Sequence, residues 1–261
     1  MSAQTLVPPS APTLDVTGTP RIPMARLVRV EVRKMYDTRA GQWLLIAIGA
    51  ISVLVTAGFF IWGKSSDRTF LSLMSFGGIP LAMLLPVLGI LLVTQEWGQR
   101  TALVTFTHVP HRRRVLGAKV AAALGFALAA LIAIAVVAAV LVPFGGASHP
   151  FQDVSVGLML RVLLGVEIGV MWGLAFGSAL LNSAFAIVAY YLVPTVLSIV
   201  GGIWASVGDK LVWIDLNQAT SHLYEKQMTG DDWGQLIVGF LVWIGIPAVV
   251  GTWRVLRSEV K

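Results

Sequence analysis

Six stretches of this chain are apolar almost without interruption, at residues 42–62, 73–95, 115–144, 156–180, 184–204 and 235–253. Polar and apolar positions do not alternate within them, as they would along a half-buried strand. About 20 apolar residues at a rise of roughly 1.5 Å per residue cross the hydrocarbon layer, and in lipid only helices or closed barrels satisfy the backbone. The continuous runs therefore predict six transmembrane helices. Trp43, Trp62, Trp97, Trp204 and Trp253 fall at the ends of these runs, where indoles prefer the membrane interface. Pro80, Pro86, Pro194 and Pro247 lie inside them, as kinks that neighbouring helices accommodate.

Before the first run the pattern changes. In MARLVRVEVRKMYDTRAGQW, Met24, Val28, Val32 and Met35 or Tyr36 recur at helical spacing beside Leu27, while Arg26, Arg29, Arg33 and Lys34 occupy other faces. The pattern predicts an amphipathic helix over 23–41 lying along the inner membrane surface as a basic anchor. The Pro-, Ser- and Thr-rich residues 1–22 read as a disordered cytoplasmic leader, without the features of a cleaved signal peptide. The expected organisation is that leader, the interfacial helix, one six-helix domain over 42–256 and a cytoplasmic tail over 257–261.

Composition agrees with an all-α integral membrane protein: 56% of the residues are hydrophobic and 12% charged, outside the range of ordinary soluble domains. Of the 19 Lys and Arg residues, all but Lys64, Arg68, Arg161, Lys210 and Lys226 fall on the side of the amino terminus. The positive-inside rule then places both termini in the cytoplasm. The basic pI reflects this asymmetry and contact with anionic lipid, and needs no nucleic-acid partner. The absence of cysteine excludes disulfides, thiolate metal sites and a cysteine nucleophile.

The polar stretch EWGQRTALVTFTHVPHRRRVLGAK, residues 96–119, forms the sizeable cytoplasmic loop between the second and third spans. Glu96 and Arg100 are spaced for a helical ion pair, and Ala102, Leu103, Val104 and Phe106 form an apolar patch before Val109 and Pro110 end the helix. Arg112, Arg113 and Arg114 fit topology and headgroup contact as well as they fit a protein contact. The apolar patch is not explained that way and points to a docked partner.

The order Glu96, Arg100-Thr101, Pro110, Arg112 to Arg114 and Lys119 resembles the loop after the second helix in type-2 permeases of bacterial ATP-binding-cassette transporters. There an acidic residue, a turn with Thr, a short coupling helix, a Pro and a basic residue lead into a third helix that begins with Lys. RVEVRKMYDTRAGQW, with Glu31, Arg33, Lys34, Asp37, Thr38 and Arg39, resembles the interfacial helix of the same family, and the six-span layout matches over nearly the whole chain. Arg100 departs from the Gly of many relatives. The resemblance implies a permease paired with a second transmembrane subunit and two cytosolic ATPase subunits, with Glu96, Arg100, Thr101, Leu103, Phe106, Pro110, Arg112, Arg114 and Lys119 in the coupling region. The chain has no GxxxxGK followed by Ser or Thr, so no cofactor is expected on it, and ATP and Mg would bind to the partner ATPase.

Within the spans, Glu167 is the ionisable residue nearest mid-depth. Three roles fit it: a hydrogen bond to a neighbouring helix, a lining of the substrate route, or proton carriage. On the same helix Gly165, Gly169, Gly173 and Gly177 repeat every four residues, a spacing that admits close helix approach. Glu167 points largely away from that seam. Catalysis has little support, because the four histidines divide between the two sides and Ser178 lies in FGSAL rather than a Gly-x-Ser-x-Gly elbow. Asp209, Asp215, His222 and Glu225 lack tight metal-ligand spacing. The expected function is an ATP-driven exporter subunit in the cytoplasmic membrane, with lipophilic or amphipathic cargo. The alternatives are a gradient-driven carrier using Glu167 and a non-transporting membrane partner of an ATPase.

Overall fold

A computed structural model describes residues 22–99, 101, 111–204, 208, 210–225 and 227–257. The expected leader over 1–21 and the proposed coupling-helix residues 102–110, with Arg100, lie outside the described residues. Among the described residues the chain is helical with no strand, and six helices are long and apolar enough to cross a membrane, as in a multi-pass membrane protein. The helices are α1 (Met24–Asp37), α2 (Arg39–Trp62), α3 (Phe70–Gly98), α4 (Arg112–Leu141), α5 (Val156–Leu180), α6 (Ser183–Ile203), the short α7 (Leu216–Ser221), α8 (Gly230–Phe240) and α9 (Ile246–Arg257). A π-helical turn, Leu241–Gly245, joins α8 and α9 into the sixth span just before Pro247, and the wider turn absorbs the residue that cannot donate.

Local chemistry sets the corners. Thr38 accepts a bond from the Gly41 amide at 3.1 Å and so starts α2 directly after α1. A Cβ at Gly41 would sit 1.9 Å from the Met35 carbonyl oxygen, so this corner requires glycine. Thr69, Ser155 and Asn182 cap α3, α5 and α6 in the same way. Leu181 takes a left-handed conformation at φ 53°, which turns the chain from α5 into α6 across two residues. At the opposite end of the bundle the Phe70 amide donates to the Pro150 carbonyl at 2.8 Å and ties the α4–α5 connection to the start of α3.

The spans are not equivalent. In α3, 56% of the most apolar window is buried, against 17% in α2 and in α6. Helix α3 is thus the central post, and α2 and α6 turn Leu54, Ile61, Leu192 and Ile199 outward. The α3–α5 contact is closest where Gly173 passes Pro86, since a Cβ there would lie 2.3 Å from the Pro86 carbonyl oxygen. At Gly177 the corresponding atom would lie 3.1 Å from Ile90 Cα. Small residues let the backbones touch, and van der Waals contact drives helix association in lipid. An aromatic group, Trp172, Phe176, Tyr190 and Trp243, fills the joint between α5, α6 and the sixth span.

Candidate functional site

Helix α1 does not lie apart from the bundle. It turns Met35, with Val28 and Val32, onto the core, and one face later it buries Glu31. A carboxylate with 5% of its side chain exposed must be paired. One partner is on the same helix and the other comes from a distant part of the sequence. One Glu31 oxygen accepts from Lys34 Nζ at 2.7 Å, and the other accepts from Lys119 Nζ at 2.7 Å. Glu96 Oε1 accepts from Lys34 Nζ at 2.6 Å and lies 3.2 Å from Lys119 Nζ. Lys119 also donates to the Leu92 carbonyl at 3.0 Å.

Two acids and two bases thus alternate in a neutral clasp, each acid meeting both bases. Neutrality matters because an uncompensated charge at this depth costs several kcal/mol, roughly 3–5 when one partner of a buried pair is removed. Lys34 is the member that water reaches, with 29% of its side chain exposed, against 4–5% for the other three. Burial pulls the Lys34 ammonium down, but the Glu31 and Glu96 carboxylates outweigh it and hold it above the ordinary lysine value.

Neighbouring arginines tighten the same end. Arg112 donates to the Val255 carbonyl at 2.7 Å, which joins the start of α4 to the last turn of α9. Arg114 donates to the Ile22 carbonyl at 2.6 Å ahead of α1. Arg254 donates to the Ala179 carbonyl at the end of α5. Arg113 is exposed. The segment between Gln99 and His111 therefore leaves from, and returns to, a junction of α1, α3, α4 and α9.

The sequence-predicted residues divide accordingly. Glu96 and Lys119 come together, and the Thr101 amide donates to the Glu96 carbonyl at 2.9 Å. Arg112 and Arg114 reach backbone of this chain. Arg100, Leu103, Phe106 and Pro110 lie outside the described residues. Lys34, read as part of an outward basic face, instead reaches inward, while Arg33 faces out and pairs with Asp37 at 2.8 Å. Sequence reasoning did not single out Glu31 and Lys34 as one site with Glu96 and Lys119. The available signal was an acid and a base three apart beside the apolar face of the predicted helix.

Glu167 lies elsewhere, midway along α5, and its Oε2 is buried with no hydrogen-bond partner among the described residues. Of the glycine series, Gly173 and Gly177 meet α3 backbone, Gly169 stands 3.7 Å from Pro86 Cγ by its notional Cβ, and Gly165 faces Tyr224. The seam therefore closes toward the α1 end of the bundle and opens toward α7. No protein-family model matches the chain, and a search of curated proteins finds no match.

Proposed function

We propose that this chain is the transmembrane permease subunit of an ATP-driven exporter of the type-2 ATP-binding-cassette class, set in a cytoplasmic membrane with both termini inside. The observation that carries the reading is the clasp of Glu31, Lys34, Glu96 and Lys119 at the root of the 99–111 segment. A coupling loop must pass a push from a soluble motor into membrane helices. Here both ends of the loop are bound to α1 and to each other by charge pairs, so a displacement of the loop moves α1, α3 and α4 together. In this reading Glu96 and Lys119 transmit force within the chain, and Leu103 and Phe106 supply the apolar contact with the motor.

Cytosolic ATPase subunits would bind ATP and Mg, a second transmembrane subunit would complete the pathway, and the cargo would be lipophilic or amphipathic. Gentle extraction of a tagged copy from its native membrane tests this. A stoichiometric soluble protein with a phosphate-binding loop should co-purify and should be lost with Leu103→Asp, which puts a charge into the docking contact while leaving insertion intact. Absence of any ATPase after mild crosslinking would refute the proposal. A second reading, a gradient-driven carrier, draws on the unpartnered Glu167 oxygen and would then lead.

A further inference from the structure

A cavity of about 250 Å³ lies between α3, α5, α6 and α7, on the side of the bundle away from the clasp. Leu81, Leu85, Val166 and Ile168 make much of its wall apolar, and among the described residues no Asp, Glu, Lys or Arg lines it. Its rim reaches the surface, since Ala82, Asn217 and Ser221 are exposed. The polar groups around it argue for an occupant.

Tyr190 is 9% exposed and lines this space beside Trp172, whose buried indole N–H has no hydrogen-bond partner among the described residues. The Tyr190 Oη stands 4.0 Å from the notional Cβ of Gly169 across the cavity wall. Two prolines add acceptors. Pro86 has no N–H for the Ala82 carbonyl, and Pro194 has none for the Tyr190 carbonyl; Ala82 and Tyr190 both line the cavity. Tyr224 brings a second hydroxyl beside Gly165. Thr220 and Ser221 already donate to backbone carbonyls at 2.8 and 2.7 Å and so keep acceptor capacity for a guest.

From this arrangement we infer that the cavity is a binding site for an uncharged, largely apolar molecule bearing a hydroxyl or carbonyl, held by the Tyr190 hydroxyl and the carbonyls that Pro86 and Pro194 release. Apolar walls exclude a hydrophilic solute, and a formal charge would enter without a counter-ion. The volume sits near the lower end of small-molecule pockets, roughly 300–1,000 Å³, and suits one fused ring system. Calling the guest cargo rests on the exporter reading above; the binding itself does not.

Equilibrium dialysis of the purified full chain in detergent against labelled 2-naphthol, naphthalene and 2-naphthoate tests the site. The expected result is saturable one-to-one binding of 2-naphthol, weaker binding of naphthalene, and no binding of the anion. Tyr190→Phe should weaken 2-naphthol about tenfold, equivalent to about 1.4 kcal/mol, and leave naphthalene unchanged. Gly169→Leu should fill the space and abolish both, whereas Gly169→Ala, whose Cβ makes ordinary contact, should retain both. Non-saturable partitioning, or a 2-naphthol affinity unmoved by Tyr190→Phe and by Gly169→Leu, would overturn the inference. That result with an ATPase still co-purifying would sink the cavity and not the exporter; binding without any ATPase would do the reverse.

Discussion

Replacing Lys119 by Met asks whether the four charges at the α1 end act as one unit. The substitution removes the ammonium that bridges Glu31 Oε2 and Glu96 Oε1 and leaves two buried carboxylates to share Lys34. Met matches the volume, so the loss is electrostatic rather than a cavity. A buried pair broken on one side costs roughly 3–5 kcal/mol, and water at Lys34 places this case near the lower end. Glu31→Leu alone should cost a similar amount, because it leaves two lysines on one carboxylate. The double variant removes one acid and one base and keeps Lys34 on Glu96 at 2.6 Å, a neutral pair. Its cost should therefore fall about 2–3 kcal/mol short of the sum of the single costs. Reversible unfolding in mixed micelles, followed by helical circular dichroism, measures all three. Additivity within about 0.5 kcal/mol would show that Glu31 and Lys119 act independently and would refute the clasp.

Three further outcomes follow from the same structure. Gly173→Ala should destabilise the fold by about 1–3 kcal/mol, because its Cβ would lie 2.3 Å from Pro86 backbone, while Gly169→Ala should stay within about 0.5 kcal/mol in the same unfolding assay. The folded Lys34 value is raised above its ordinary 10.5, so its stabilising contribution is complete below that pH and disappears as pH rises through the folded value. Unfolding compared across that alkaline window should show a loss of stability in the wild type that Lys34→Met lacks. Glu167→Gln keeps the shape and removes the charge; a transport rate in vesicles that loses its pH dependence would give Glu167 a place in the transport cycle, and an unchanged profile would leave it a packing role.

Much of the architecture was legible because membrane helices answer to local rules. A run of about 20 apolar residues must be a helix when no water is present to satisfy the backbone, whatever surrounds it. The predicted fourth span, 156–180, coincides with α5, and the others differ by a few residues at polar ends, as at α2, which begins at Arg39 once Thr38 caps it. The four-residue glycine series likewise announced a close contact on α5, and Pro86 and Pro194 lie inside their helices as the spans predicted.

Which residues meet was a different matter. Glu31 and Lys119 are 88 positions apart, and nothing in either neighbourhood says that one charge neutralises the other. Lys34 read as surface because three arginines lie near it in sequence, yet burial of Met35 and Glu31 rotates α1 so that its ammonium turns inward and Arg33 turns out. The cavity is more hidden still, since Leu81, Gly169, Tyr190 and Tyr224 are each unremarkable alone and converge because α3, α5, α6 and α7 diverge beyond the Gly173 contact. Hydropathy and chain stiffness are properties of a segment, so the sequence alone determined the spans. Charge pairing and empty space are properties of pairs of segments, so the tertiary structure alone decided the clasp and the cavity.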